Sequence, residues 1–181
     1  MTEVCSRDAV KEFVLRSLRL TPETLGKSKK DVPSVVRALG GLQYGGHKLE
    51  LSSRFQDFKP EWFDYWYERY VLIEGHVLRG ALRIVNVDEY PYYFKATRCV
   101  SRRRNYQRCP SSLGDNHLVA LSFLRKHGPL TPSEFTRLFE AEHSGSGDGK
   151  RLLLDLYNHG EVARMGRKKG RPLYHVVEKL P

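Results

Sequence analysis

Apolar residues in the second half of the chain recur at helical spacing before the pattern changes to the alternation of a strand. Four apolar residues with that spacing predict a first helix: Leu118, Leu121, Phe123 and Leu124. The helix should end at Gly128, since Pro129 follows it. A second helix should start at Thr131, because threonine is a good N-cap, Pro132 suits the first helical position and Glu134 completes a capping box.

A third helix and a basic hairpin complete the pattern of this half. Residues 150–158 fit a helix with three leucines and a tyrosine on its buried side. Strand-like alternation follows at residues 162–165 and 173–177, and the tip between these strands reads GRKKGR. Three helices followed by a two-stranded wing is the order of a winged helix, a variant of the helix-turn-helix.

The first half of the chain repeats this order less clearly. Periodicity predicts three helices and two strands there: helices at residues 9–18, 32–39 and 60–70, and strands at 71–77 and 81–87. Gly40 and Gly41 should end the second helix, and the strands should pair through a turn at Arg79-Gly80. Asp88 is then a suitable cap for a further helix. Periodicity alone fits a winged helix with an added helix and a generic α+β domain nearly equally well.

The helix predicted at residues 60–70 contains a run of aromatic residues. Four of them fall roughly on one helical face: Trp62, Tyr65, Trp66 and Tyr70. This arrangement favours packing in the hydrophobic core over stacking on nucleic-acid bases. The same interpretation applies to the aromatic group that starts at Tyr90.

A basic stretch rich in turn-forming residues separates the two halves. Residues 98–108 read RCVSRRRNYQR, with five arginines and no acid, and a proline, two serines and a glycine follow. This composition predicts a linker at residues 98–114 between a domain at 1–97 and a domain at 115–181. The predicted fold class is therefore α+β, with two tandem winged-helix domains.

Charge and apolar content narrow the classes of partner. The 181 residues include 31 Lys and Arg against 21 Asp and Glu, a net charge of +10 that favours a polyanionic partner. No apolar run approaches the roughly 20 residues needed to cross a bilayer, so no membrane association is expected. The first nine residues also lack the apolar centre of a signal peptide. We therefore expect an intracellular protein of the cytoplasm and nucleoid, or of the nucleus.

The cysteines indicate neither a metal site nor a disulfide framework. Cys5, Cys99 and Cys109 form no CxxC pair, and no histidine stands at zinc-finger spacing from them. We expect three reduced thiols, no metal and no cofactor. A single disulfide between Cys99 and Cys109 is the alternative.

Basic residues are concentrated where a winged helix would meet double-stranded DNA. Candidates for phosphate contact lie in the wing, the third helix and the linker: Arg164, Arg167, Lys168, Lys169, Arg171, Lys150, Arg151, Arg102, Arg103 and Arg104. Such contacts give salt-sensitive binding that depends little on sequence. The third helix shows no obvious base-reading residue at successive exposed turns, which also predicts weak specificity. The alternatives are a solvated hairpin tip for the wing and a flexible connector for the linker.

One set of motifs points beyond architecture to chemistry. The chain reads Leu42-Gln43-Tyr44-Gly45, then VLRGALRIV at residues 77–85, then Asp88-Glu89-Tyr90. This arrangement resembles the AlkZ/YcaQ-type DNA glycosylases, which are built from tandem winged helices. The resemblance covers approximately residues 8–177 and is strongest at 32–96. Known members are longer, so the chain resembles a truncated member.

The resemblance also implies roles for individual residues. It places Gln43 beside the damaged nucleotide, where the amide would orient a water molecule for hydrolysis of an N-glycosidic bond. Family members carry a second polar residue where this chain has Gly45, and His47 or Glu50 from the next turn could fill that role. Arg54 and Arg79 match basic positions of the family. Salt bridges with nearby acids are the alternative for these two arginines: Glu61, Asp64, Glu68 or Glu74.

These observations predict a double-stranded DNA-binding protein related to the alkylpurine and crosslink glycosylases of DNA repair. If the protein is an enzyme, it should be a monofunctional glycosylase, because the motif places no lysine for Schiff-base chemistry. A winged-helix transcriptional regulator and a protein-interaction scaffold are the alternatives.

Overall fold

Helices and one antiparallel sheet make up the described parts of the chain. The computed structural model describes residues 6–77, 81–93, 113–145 and 148–179. We number seven α-helices in chain order: α1 Arg7–Ser17, α2 Val32–Ala38, α3 His47–Ser52, α4 Pro60–Glu68, α5 Asp115–His127, α6 Pro132–Glu142 and α7 Gly149–His159. Residues 90–93 are helical as well. The α+β class predicted from the sequence is confirmed.

The sheet joins the two halves of the chain. Its five strands are β1 Leu42–Gln43, β2 Leu72–Val77, β3 Ala81–Asn86, β4 Val162–Lys168 and β5 Arg171–Val176, in the order β1-β3-β2-β4-β5. The hairpin of the first half and the hairpin of the second half meet where β2 pairs antiparallel with β4, with Glu74 opposite Arg164. The sequence predicted both hairpins but did not predict that they form one sheet.

Two hydrophobic clusters cover one face of this sheet. Residues opposite each other on neighbouring strands share a face, and Leu42 lies opposite Ile84 while Ile84 lies opposite Glu74. Leu42, Leu72 and Ile84 pack with residues of α2 and α4. Farther along the same face, Val162 and Val176 pack with residues of α5, α6 and α7. Each half therefore has its own helix-covered core.

A third hydrophobic cluster lies on the opposite face and spans the joint between the halves. Ile73 and Val85 of the first hairpin pack there with Ala163 and Met165 of β4. Tyr90 closes the cluster, and its ring lies so close to Gly75 that a Cβ there would come within 2.2 Å of it. Burial on this face therefore supports the pairing of β2 with β4.

Local signals in the second half are confirmed in detail. Thr131 Oγ1 accepts a hydrogen bond from the Glu134 N–H at 3.3 Å, and the Glu134 carboxylate accepts one from the Thr131 N–H at 3.1 Å. The first helix of this half ends at His127, directly before Gly128. The third helix starts one residue earlier than predicted, with Asp148 as its N-cap.

The predicted core packing of the aromatic run is confirmed for Trp62, Trp66 and Tyr70, although the centre of the buried face lies one position later. The fully buried residues are Phe63 and Tyr67, whose rings stack with centroids 5.5 Å apart. Trp62 and Trp66 flank the same core and are partly buried. Tyr65 instead lies under the Lys29 ammonium, 3.6 Å from its ring centroid. The helix is aromatic nearly all round, so the periodicity could not decide which of its faces meets the sheet.

Several expectations are corrected or fall outside the described residues. Asp88, the suggested cap of a further helix, lies two positions before the helical residues 90–93 and forms an ion pair with Arg37. All three cysteines and nearly all of the predicted linker lie outside the described residues. Within the described residues, no helix is long and apolar enough to span a membrane, and no three His, Cys, Asp or Glu side chains are grouped as metal ligands.

Candidate catalytic turn and nucleic-acid interface

A tight turn at the end of β1 carries the candidate catalytic glutamine. Gln43 lies opposite Arg83 across the β1–β3 pair. The Gly46 N–H donates to the Gln43 carbonyl at 3.2 Å, which closes the turn. Gly45 has a φ of +89°, a region that side chains disfavour. Glycine at this position therefore allows the backbone conformation of the turn, and it also means that the turn has no side chain here.

Helix α3 follows the turn directly and brings a carboxylate back to Gln43. Glu50 Oε2 accepts a hydrogen bond from the Gln43 backbone N–H at 2.8 Å. The Gln43 side chain is exposed, and a Cβ built on Gly45 would meet nothing within 4 Å. The Glu50 carboxylate therefore contacts the backbone of Gln43, and the turn that follows leaves open space at Gly45.

His47, the other candidate for the missing polar role, faces the core. Its ring packs on Phe63 with centroids 4.3 Å apart. Burial lowers the pKa of His47, and the nearby positive charges of Lys48 and Arg167 lower it further. A neutral, packed imidazole anchors α3 to α4. Of the two candidates, Glu50 is the one that contacts Gln43.

Arg54 braces the same helix. Its guanidinium donates from Nη1 to the Glu50 carbonyl at 2.9 Å and from Nε to the Leu18 carbonyl at 3.1 Å. These partners differ from the acids considered on sequence grounds, and Asp64 pairs instead with Lys48 at 2.8 Å. Arg54 thus ties α3 to the segment after α1, and its contact with DNA stays a prediction.

Two basic residues of the wing are held against the start of α6. Lys168 Nζ lies 2.6 Å from Glu134 Oε1, and the Arg171 guanidinium donates to Ser133 Oγ at 3.0 Å. The bond with Lys168 is the main reason that the pKa of Glu134 falls to about 2. Lys169 is exposed and stands at the turn itself, with a φ of +51°. Lys169 is therefore the best presented of these three cations.

Arg164 points into the fold, away from the surface where the sequence analysis placed it. Its Nε donates to the Tyr174 hydroxyl at 2.6 Å, and its guanidinium lies 4.5 Å from the centroid of the Tyr157 ring. The alternation of β4 alone could not show this, because the aromatic partners come from α7 and β5. The position of Arg164 lends no support to a phosphate contact.

Arg167 and Glu74 complete a polar group between the two helix-covered cores, which we call the polar junction: Tyr67, Glu74, Arg164 and Arg167. Arg167 Nη2 lies 3.8 Å from Glu74 Oε1, and its guanidinium lies 5.6 Å from the centroid of the Tyr67 ring. Arg167 therefore bridges the wing to the first half of the chain.

Glu74 is the member of the polar junction that sequence reasoning missed as a functional candidate. Its side chain is 1% exposed, and burial raises its pKa although Tyr67, Arg164 and Arg167 oppose the shift. Within the described residues, neither of its carboxylate oxygens accepts a well-formed hydrogen bond. The available signal was a lone acid inside the strand LIEGHV, whose other residues except His76 are apolar or glycine.

The predicted recognition helix α7 presents two cations near its amino end. Lys150 and Arg151 are exposed, and Arg151 Nε lies 3.2 Å from Asp155 Oδ2. Asp155 also lies 3.5 Å from His117 Nε2 and so connects α7 to α5. The remaining candidates, Arg79, Arg102, Arg103 and Arg104, lie outside the described residues.

Comparison with known proteins gives a family and a similar fold. The family model described as "DNA glycosylase AlkZ-like" matches residues 36–181. The solved structure of Streptomyces sahachiroi DNA glycosylase AlkZ is similar to this chain with a TM-score of 0.59 at 18% identity, over 91% of this chain and 48% of that chain. This chain thus spans about half the length of that protein. Among curated proteins, none matches this chain.

Proposed function

Because this chain belongs to the AlkZ-like DNA glycosylase family, we propose that it binds double-stranded DNA through tandem winged helices and excises alkylated purines. Its role would be DNA repair inside the cell. The observation that carries the proposal is the β1 turn, which lies within the matched residues and exposes Gln43 beside a carboxylate and an open space.

The chemistry suits a site with few acid and base groups. A purine alkylated on a ring nitrogen carries a positive charge, so it is a good leaving group without protonation. The sugar becomes oxocarbenium-like as the bond breaks, and a positioned water then adds to it. The exposed Gln43 amide would orient that water, and an open turn would admit a bulky adduct.

The described contacts also favour a monofunctional enzyme over a lyase. Lys48 is the nearest lysine to the turn in sequence, and its ammonium is paired with Asp64 at 2.8 Å. A Schiff base requires a free amine, whereas the Lys48 ammonium is engaged by Asp64.

DNA binding would rest on phosphate contacts from the second half. Helices α5, α6 and α7 followed by the β4–β5 hairpin have the order of a winged helix. Lys150, Arg151 and Lys169 supply exposed cations on two of these elements. Binding should therefore weaken steeply as salt rises and depend little on DNA sequence.

The test is release of alkylated bases from methylated duplex DNA by the wild type and by Gln43→Ala, followed as abasic sites. We expect Gln43→Ala to lower the single-turnover rate on the order of 100-fold, since the water loses its orienting amide. The matched control is Gln56→Ala, which removes another exposed glutamine outside the turn and should leave the rate unchanged.

Release by the wild type no faster than the uncatalysed background would overturn the glycosylase proposal. Retained DNA binding in that case would favour a DNA-binding module, with one preferred sequence pointing to a transcriptional regulator. Loss of all binding at low salt would favour a protein-interaction scaffold.

A further inference from the structure

We propose that Glu50 is the second catalytic group of this site and supplies the negative charge that Gly45 lacks. The inference deepens the proposed glycosylase function and rests on it. The carboxylate would stabilise the oxocarbenium-like sugar and accept the proton of the attacking water.

The position of Glu50 is fixed by several contacts of α3. Its backbone N–H donates to the Gly46 carbonyl at 2.9 Å, and its carbonyl accepts from Arg54 at 2.9 Å. His47 and Lys48 attach the same helix to α4 through Phe63 and Asp64. A carboxylate held by a rigid helix loses little freedom on reaching the transition state, which is a requirement for electrostatic catalysis.

The carboxylate has the contacts and the access that the role requires. Glu50 Oε2 accepts a hydrogen bond from the Gln43 backbone N–H at 2.8 Å, so the carboxylate lies directly beside the residue whose side-chain amide is the candidate water-orienting group. One accepted hydrogen bond uses only part of the acceptor capacity of a carboxylate, and a water can use the rest. The space that a side chain at position 45 would take is open, and position 45 lies in the same turn as Gln43, which the Gly46 N–H closes on the Gln43 carbonyl.

Other acids near the turn are less suited. Glu74 is 1% exposed and lies inside the polar junction, where no sugar can reach it. Asp64 is neutralised by Lys48 at 2.8 Å. Glu50 is half-buried, so its charge is partly shielded from bulk water yet reachable from it.

The step balances with water as the only co-reactant. The bond between C1′ and the purine nitrogen breaks with its electron pair, and the cationic alkylpurine leaves as a neutral base. The oxygen of the water forms a bond to C1′. One proton of that water passes to the Glu50 carboxylate and then to solvent, and the product is an abasic site.

The experiment compares single-turnover release from methylated duplex DNA by the wild type, Glu50→Gln, Glu50→Asp and a matched control. Glutamine can still accept the Gln43 N–H, so Glu50→Gln removes the charge and retains the turn. We expect its rate to fall on the order of 100-fold, with unchanged DNA affinity and unfolding midpoint. Glu50→Asp retains the charge and should be faster than Glu50→Gln. Glu61→Gln removes an exposed acid on α4 and should match the wild type.

The outcomes separate this inference from the proposed function. A wild type that releases bases while Glu50→Gln retains its full rate would overturn the role of Glu50 and leave the glycosylase proposal standing. Equal rate losses in Glu50→Gln and Glu50→Asp, together with lowered unfolding midpoints, would make Glu50 a structural residue only. No release by the wild type would overturn both proposals.

Discussion

At the scale of single residues, the backbone conformation of Gly45 limits which amino acids can occupy this position. Its φ is +89°, and the space around its missing Cβ is open. A side chain there would meet no steric obstacle from neighbours but would strain its own backbone. Restoring the polar residue usual in the family is therefore not a simple matter of adding a functional group.

This difference between space and strain gives a stability prediction. Gly45→Ala should lower the free energy of unfolding by about 1 to 2 kcal/mol, because an L-residue disfavours the left-handed region. Gly46→Ala is the matched control, since its Cβ would also meet nothing within 4 Å but its φ is −107°. Urea unfolding of both variants measures the effect, and equal losses would contradict the assignment to backbone strain.

Residues differed in how far the sequence could predict their place. Thr131 and Glu134 were predictable because a capping box depends only on residues three positions apart. Arg164 was not, because its burial depends on Tyr157 and Tyr174 from other elements. The contact between Glu50 and Gln43 was partly predictable. The two residues are close in sequence, but the contact also depends on the turn at Gly45, which reverses the chain.

At the scale of elements, some cations of the wing bind other parts of the protein and one faces solvent at the turn. Lys168 and Arg171 are attached to the start of α6, whereas Lys169 stands at the turn. A lysine that is paired with a carboxylate of its own protein must break that pair before it can bind a DNA phosphate. The sequence identified this cluster but could not distinguish its members, since their partners Ser133 and Glu134 lie more than thirty positions earlier.

We therefore expect Lys169→Ala to weaken DNA binding with little effect on folding. The slope of log Kd against log salt should fall in magnitude by about 1, as one phosphate contact is lost. Lys11→Ala, an exposed lysine of α1, serves as the control and should leave the slope unchanged. An unchanged slope for Lys169→Ala would remove the tip of the wing from the interface.

At the scale of the whole molecule, a buried charge lies where the two halves meet. The raised pKa of Glu74 means that its carboxyl binds a proton more tightly in the folded chain than in the unfolded one. Stability therefore declines as pH rises from the ordinary glutamate pKa of about 4.3 through the raised folded value. Arg164 and Arg167 reduce this cost without removing it.

Glu74→Gln should thus gain stability relative to the wild type as pH rises from about 5 to about 8, because the amide avoids ionisation in the same place. Urea unfolding at several pH values measures the difference between the two proteins. The exposed Glu68→Gln provides the control and should show no such trend. If the wild type instead became more stable relative to Glu74→Gln as pH rises, the favourable interaction of the carboxylate with the two arginines would exceed the cost of its burial.

The pairing of β2 with β4 means that the two halves of the chain cannot be separated without exposing strand edges. Composition places a boundary at residues 98–114, but Glu74 and Arg164 pair across that boundary within one sheet. A fragment that began at residue 115 would leave the backbone N–H and C=O groups along one side of β4 open to any passing strand. Unpaired strand edges of this kind promote self-association and aggregation. The first half of the chain thus covers one edge of the β4–β5 hairpin, and a cut in the linker would expose the edges of β2 and β4 that pair with each other in the intact sheet.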